Sequence, residues 1–252
     1  MKQHNLSFFI SDIHLTPQKP SLCALFESFI SVNAYKAEAL YILGDLFDVW
    51  LGDDLISDFE SHIASLLREL KQSGVKTYLV PGNRDFLFGQ KFAQLADITL
   101  LPDPTPIQLY QKSCLLCHGD ELCTEDGLYQ YFRKFVQSPI SKYIFLKLPK
   151  KYRQNIANKL RANSKNYQKN QPLSKLDVTE AGVQQSIKRH PAEIIIHGHV
   201  HRAKHALHTV SNKTVNRYVL GTWHKTGSVI SVTSNPFEVE HHIFSEGVSL
   251  IS

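Results

Sequence analysis

The sequence predicts an α/β protein built as a layered sandwich, and three observations carry that prediction. Short runs of Val, Ile, Leu, Phe and Tyr alternate with stretches of helical periodicity. Five of these runs end in clusters of Asp, Asn and His, four of them with a neighbouring Gly. Late in the chain come three more strand-like runs with no helix between them. At 252 residues and 42% hydrophobic content the chain can bury a sizeable core, as one large domain or as one domain carrying an insert.

In chain order, LSFFI (6–10) and ALYIL (39–43) read as buried strands. Residues 59–74, FESHIASLLRELKQSG, then place Ile63, Leu66, Leu67 and Leu70 at helical spacing, with Gly74 as the stop. VKTYLV (75–80), SCLLC (113–117) and EIIIH (193–197) are further buried strands, and RYVLGTW, SVISVT and EVEHHIF are the late ones. Cys114 and Cys117 form a CxxC spacing inside an apolar run, with no second pair elsewhere among Cys23 and Cys123. A buried strand explains them better than a redox or metal pair. The apolar start is too short for a signal segment, and no window approaches the roughly 18 apolar residues of a membrane span. A cytoplasmic protein is expected.

Charge is distributed unevenly. The net charge is +5, yet residues 126–176 hold twelve Lys and Arg against the single acid Asp126, which leaves the rest of the chain net acidic. The same segment contains YQYFRKF and KYIFLKLPKKY, so it is apolar and basic together rather than a solvated tail. That combination suits an anionic membrane surface or an amphiphilic anionic ligand. Nucleic acid is the competing partner, because cations interleaved with aromatics also describe a base-stacking platform.

The strand ends carry the chemistry: FFI-SDIH, YIL-GDLFD, LVP-GNRD, LLC-HGD and III-HGHVH. In α/β folds ligands bind outside the carboxyl ends of strands, so five such clusters can meet in one crevice. Singly, each is an ordinary turn; five in register are not explained by turns. Carboxylate, amide and imidazole groups without thiolate suit Mn, Fe, Zn or Mg.

The ordered motifs DIH, GD, GN, HGD and HGHVH resemble the calcineurin-type metallophosphoesterase superfamily from Asp12 to His201. The resemblance implies a layered αββα sandwich and two divalent ions. It places the first ion on Asp12, His14, Asp45 and His199, and the second on Asp45, Asn83, His118 and His197. His201 is expected to support His199 from outside the ligand set. Where that superfamily normally has a histidine after the Asn of the GN motif, this sequence has Arg84. Arginine cannot give a proton to a departing alkoxide, whereas a phosphate monoester, with a second pKa of about 6, departs without one. Arg84 can instead fork onto two phosphate oxygens, which points to a diphosphate substrate.

Longer strings, ALYILGDLFDVWLGDD, GNRDFL, HGDELCTED, RANSK and GHVHR followed by LGTWH, resemble the UDP-2,3-diacylglucosamine hydrolases of lipid A biosynthesis. That resemblance implies Mn2+-dependent hydrolysis at the α-phosphorus to UMP and 2,3-diacylglucosamine 1-phosphate. Asn83, Arg84 and His118 are the expected catalytic residues, and Asn83, Arg84, Asp126, Ser164 and His197 the expected substrate contacts. Two of the family's further contacts, an asparagine and a lysine, are replaced by Gln168 and Gln171, with Lys169 or Lys175 as substitutes. It further implies a helical lid, residues 126–175, inserted into a core formed by 1–125 and 176–252. In that lid Tyr129, Phe132, Phe135, Phe145, Leu148 and Ile156 are expected to line an acyl pocket, and Arg153 and Arg161 to meet phosphates or the bilayer. The partners expected are a lipid-linked nucleotide sugar and an anionic membrane surface on the cytoplasmic side of the inner membrane, with no nucleic acid and no obligate protein partner.

Overall fold

The computed structural model describes residues 5–251, and within them all side chains but those of Lys165, Gln168, Lys169, Leu173 and Ser174. The positions of Gln168 and Lys169 singled out above therefore lie outside the described side chains. Among the described residues eleven strands form two sheets. The first is ordered β11-β10-β1-β2-β3-β4, from β1 (Leu6–Ile10), β2 (Ala39–Leu43), β3 (Lys76–Val80), β4 (Thr99–Leu100), β10 (Gly227–Ser234) and β11 (Phe237–Phe244). The second is ordered β5-β6-β7-β9-β8, from β5 (Thr105–Leu109), β6 (Lys112–Leu116), β7 (Ile194–His197), β8 (Lys204–Val210) and β9 (Lys213–Val219). Strands β1 to β4 run parallel, as do β6, β7 and β9, while β10, β11, β5 and β8 pair antiparallel.

The period of two along each strand builds the layers. Phe8 and Ile10 face a core shared with α1 (Pro20–Val32), α2 (Asp58–Gln72) and α3 (Gln90–Ala96), whereas Phe9 between them faces the second sheet. Leu43, Val80, Cys114, Leu116, Ile194, Ile196 and Ile230 complete that inter-sheet core. On the far side Leu115 and Ile195 pack with Val183 and Ile187 of α7 (Glu180–Arg189). The layers are therefore α, β, β, α, and burial on both faces explains why these strands read as continuous apolar runs. Cys114 and Cys117 are both buried in them as free thiols, and burial pushes each well above its ordinary pKa.

Helix α2 follows its sequence signals closely. Ser57 caps it, Glu60 returns a carboxylate to the Ser57 N–H at 2.9 Å, and Ile63, Ala64, Leu67 and Leu70 form the buried stripe. Three strands escaped the sequence reading. Strand β4 is two residues long, and β5 and β8 lie at the edges of the second sheet, where KHALHTV exposes most of its side chains.

In the chain between β6 and α7 come α4 (Gly127–Gln137), α5 (Pro139–Lys147) and α6 (Lys150–Lys169). Asp126 caps α4 and Ser138 caps α5. These helices carry Leu128, Tyr131, Phe135, Ile140, Tyr143 and Ile144, each more than half exposed. Among the described residues no helix is long and apolar enough to cross a membrane. Leu67→Ala opens a cavity under α2 and is expected to cost about 2–5 kcal/mol, read from the denaturant midpoint. A loss under about 1 kcal/mol would mean that α2 is not anchored through this stripe.

Candidate metal centre

The carboxyl ends of β1, β2 and β3 in one sheet and of β6 and β7 in the other open on the same edge of the sandwich. Past those ends the backbone turns sharply. Asp12, His14, Asp45, His199 and His201 all adopt left-handed φ values, between 53° and 69°. Non-glycine residues held there cost on the order of 1–3 kcal/mol each and persist only where the surroundings enforce them. Here the enforcement is visible. The N–H groups of Asp12 and His14 donate to the carbonyls of Gly44 and Asp45 at 3.1 and 3.0 Å, and Gly198 N–H donates to the His118 carbonyl at 2.9 Å. Buried Asp85 accepts from three N–H groups, those of Gly82, Asp45 and Leu46, at 2.6, 3.3 and 2.8 Å, tying the β2 and β3 loops together. Gly82 and Gly198 are required by closeness: a Cβ on either would collide with the carboxylate of Asp45 or Asp12.

The side chains gather in two groups about one carboxylate. In the first group His201 Nε2 lies 3.2 Å from Asp12 Oδ1 and 3.5 Å from His14 Nε2. In the second, Asn83 Oδ1 lies 2.8 Å from His118 Nε2 and 3.2 Å from His199 Nδ1. Asp45 stands between them, with Oδ2 3.8 Å from His14 Nδ1 and Oδ1 3.8 Å from His118 Nε2. Asp12, His14 and His201 can each turn one ligand atom onto a common point, and so can Asp12, Asp45 and His118. His14 Nδ1 is buried with no hydrogen-bond partner among the described residues. Burial at that price is what a cation would repay.

Electrostatics fit the same occupant. Burial, aided by the Arg84 guanidinium, pushes His14 down to about 2, and burial with His118 beside it pushes His199 down to about 4, so both rings stay neutral and offer lone pairs. Burial would raise Asp12, but His201, His118 and His14 outweigh it and hold the carboxyl well below its usual range. For Asp45 burial wins and lifts the carboxyl to about 7. His118 runs the other way: burial lowers it, yet the carboxylates of Asp45, Asp12 and Asp120 prevail and raise it to about 10. Without a cation the Asp45–His118 pair thus retains protons near neutrality. Buried carboxylate, amide and neutral imidazole together fit a divalent cation of the Mn, Fe, Zn or Mg type.

The structure brings Asp12, His14, Asp45, Asn83, His118 and His199 together, as the sequence led one to expect. It does not bring His197, expected as a ligand and a substrate contact. His197 ends β7 with its Nε2 3.1 Å from Arg217 Nη1 and its Nδ1 2.8 Å from the Gly198 carbonyl. In its place stands His201. The strand ends at His197, and the distant Asp12 Oδ2 takes the His199 N–H at 2.9 Å, drawing the turn rather than the strand end over the crevice. The GHVH spacing sets two histidines beyond the turn glycine, but the string HGHVH alone does not say which of its three histidines face the crevice.

Arg84 sits at the rim, about one-third exposed. Its N–H donates to Asp45 Oδ1 at 2.9 Å and its Nη1 to Asp48 Oδ1 at 2.8 Å. Arg161 of α6 reaches the other oxygen of Asp48 at 3.0 Å, so one carboxylate gathers two guanidinium groups. Asp126 is buried; it caps α4 through the Tyr129 N–H at 3.1 Å and accepts from the Tyr167 hydroxyl at 2.8 Å, while Ser164 is exposed on α6. Arg153, expected to face phosphate or bilayer, is instead buried on Asp54. Phe145 packs on the core of the first sheet. Asp53 accepts from Trp50 Nε1, Gly89 N–H and Phe92 N–H at 3.1, 2.9 and 3.0 Å, and Trp50 is buried in the core of the first sheet.

Because Asp45 is lifted to about 7 in the folded protein, its share of stability is full below the ordinary carboxylate range and lost as pH rises through about 7. A divalent cation competes with that proton. The upshift in Tm on adding Mn2+ is therefore expected to be larger at pH 8 than at pH 6 in a thermal melt. Equal upshifts would mean that no proton leaves these residues on binding.

The profile of the calcineurin-like phosphoesterase family matches residues 8–203. The chain is 43% identical over 234 residues to a UDP-2,3-diacylglucosamine hydrolase of Serratia proteamaculans, covering 92% of this chain and 97% of that one. It is 41% identical over 239 residues to a UDP-2,3-diacylglucosamine hydrolase of Escherichia coli, covering 94% and 99%. Converging strand ends, a shared buried carboxylate and similarity along nearly the whole chain agree: this protein belongs to the calcineurin-like phosphoesterases and, within them, to the UDP-2,3-diacylglucosamine hydrolase family.

Proposed function

We propose that this enzyme hydrolyses the pyrophosphate bond of UDP-2,3-diacylglucosamine at the α-phosphorus, releasing UMP and 2,3-diacylglucosamine 1-phosphate for lipid A biosynthesis. The observation that carries the reading is identity above 40%, over almost the full length, to hydrolases named for that substrate. Asp12, His14, Asp45 and His201 would hold one divalent ion, and Asp45, Asn83, His118 and His199 the other, with Mn2+ the favoured metal. Two such ions supply positive charge that ionises a water near neutral pH and neutralises phosphate oxygens.

The chain's own residues do the rest. Asp45 fixes the spacing of the two groups, and its hold on the Arg84 N–H keeps that side chain at the rim. The guanidinium forks onto the diphosphate and steadies charge that builds on the departing sugar phosphate, which needs no proton from the enzyme. Arg161, brought to the same point by Asp48, adds a second cation from α6. Asn83 and His118 orient the phosphate, and Asp126 and Ser164 offer polar contacts to the sugar. Residues 126–175 form a lid over the centre, whose exposed aromatic and aliphatic side chains enclose acyl chains and rest on the anionic inner leaflet.

The direct test is Mn2+-dependent release of UMP from UDP-2,3-diacylglucosamine in mixed micelles. Asp45→Asn is expected to abolish it, and Arg84→His to lower kcat by about 10²–10³. Cleavage of a soluble nucleotide diphosphate without release of UMP from the lipid would sink the substrate assignment and leave the metal centre standing. Metal analysis separates the ligand sets: His201→Ala should retain one ion per chain and His197→Ala two, and the reverse pattern would restore His197 as a ligand. Sedimentation with anionic vesicles should fall as salt is raised; binding that ignores salt would deny the cations of α6 a part in it.

A further inference from the structure

A second network lies next to His118 and plays no part in the reading above. The His118 N–H donates to Asp103 Oδ1 at 2.9 Å. Asp103 Oδ2 accepts from Arg133 Nη2 at 2.7 Å, and the same guanidinium donates through Nε to Asp120 Oδ2 at 2.8 Å. The Tyr129 hydroxyl donates to that oxygen at 2.7 Å, and Gln130 Nε2 to the Asp120 and Cys123 carbonyls at 2.7 and 3.1 Å. Tyr129, Gln130 and Arg133 all belong to α4. Arg133, the first cation of the basic segment, faces neither solvent nor bilayer: its side chain is 13% exposed, between carboxylates 11% and 1% exposed.

Asp103 grips the His118 backbone, and Asp120 follows His118 by two residues. One guanidinium joins the two acids. Without it two buried carboxylates would face each other with no cation between them, and the loops that carry them would part. That movement shifts the peptide that aims the His118 ring.

We propose that Arg133 is a positioning residue for His118, through which docking of α4 and binding of the divalent ion at Asn83, His118 and His199 are thermodynamically linked. The proposal rests on the metal reading above. Linkage is reciprocal: α4 tightens the ion, and the ion tightens α4. The lid's first helix therefore reports on whether the centre is loaded.

The experiment titrates the metal-stripped full chain with Mn2+, following free Mn2+ by its electron paramagnetic resonance signal, and measures hydrogen exchange over residues 127–137 with and without the ion. Wild type should bind two ions and slow its exchange in α4. Arg133→Gln should bind one of the two at least about tenfold more weakly and the other as wild type does, and Mn2+ should no longer slow α4. Arg133→Lys, which keeps the charge and loses the fork, should fall between. Asp103→Asn keeps an acceptor for the His118 N–H, removes one of the bridged charges and should weaken the same ion, which supplies a second variant if Arg133→Gln does not fold. Two ions bound at wild-type affinity by Arg133→Gln, or by Asp103→Asn in its place, overturn the proposal. A wild type that binds fewer than two ions overturns the metal reading itself, so the two failures are told apart.

Discussion

The site depends on one carboxylate taken out of water. Asp45 is 1% exposed, with one oxygen turned toward His118 and the other toward His14. A buried charge of this kind needs partners, and the structure supplies them from every side. The Arg84 N–H lies on it, Asp85 fixes its own N–H, and the glycine at 82 leaves room for it. Because the apolar core between the sheets packs β2, which delivers Asp45, against the sheet of β6, which delivers His118, the two residues meet at one edge.

Much of this was legible because the constraints that place ligands also mark a sequence. Residues buried on both faces must be apolar, so β1, β2, β3, β6 and β7 stood out as runs, and the crevice receives polar residues that follow each run within a few positions, at β7 His199 and His201 rather than the His197 that ends the strand. Helix α2 was legible for a different reason: its stripe and stop are both local, as is the Ser57 cap that the structure adds. What is local can be read.

Two kinds of information were not local. Which histidines of HGHVH face inward depends on where β7 stops and on an acceptor 187 residues away, the Asp12 carboxylate that takes the His199 N–H. No pattern within five residues decides that. Likewise Arg153 and Arg133 look like surface cations in a basic segment, and only their distant partners, Asp54 for one and Asp103 with Asp120 for the other, turn them inward. Charge counts identified the segment and could not sort its members. The outward members and the exposed aromatics suit an anionic surface; the inward ones fasten the segment to the fold.

The left-handed backbone at Asp12, His14, Asp45, His199 and His201 has a consequence for how this centre can vary. Asp, Asn and His are the side-chain-bearing residues that tolerate such φ values best, and they are also oxygen and nitrogen donors of short reach. Backbone and cation therefore demand the same small alphabet. Exchanging an aspartate for glutamate, the usual first step in retuning a metal site, meets resistance from the main chain before coordination is involved, and a β-branched residue is refused outright. The positions are doubly committed, and an engineer who wants a different metal has more freedom one layer out, at residues such as Asp85 and Asp103 that hold the turns.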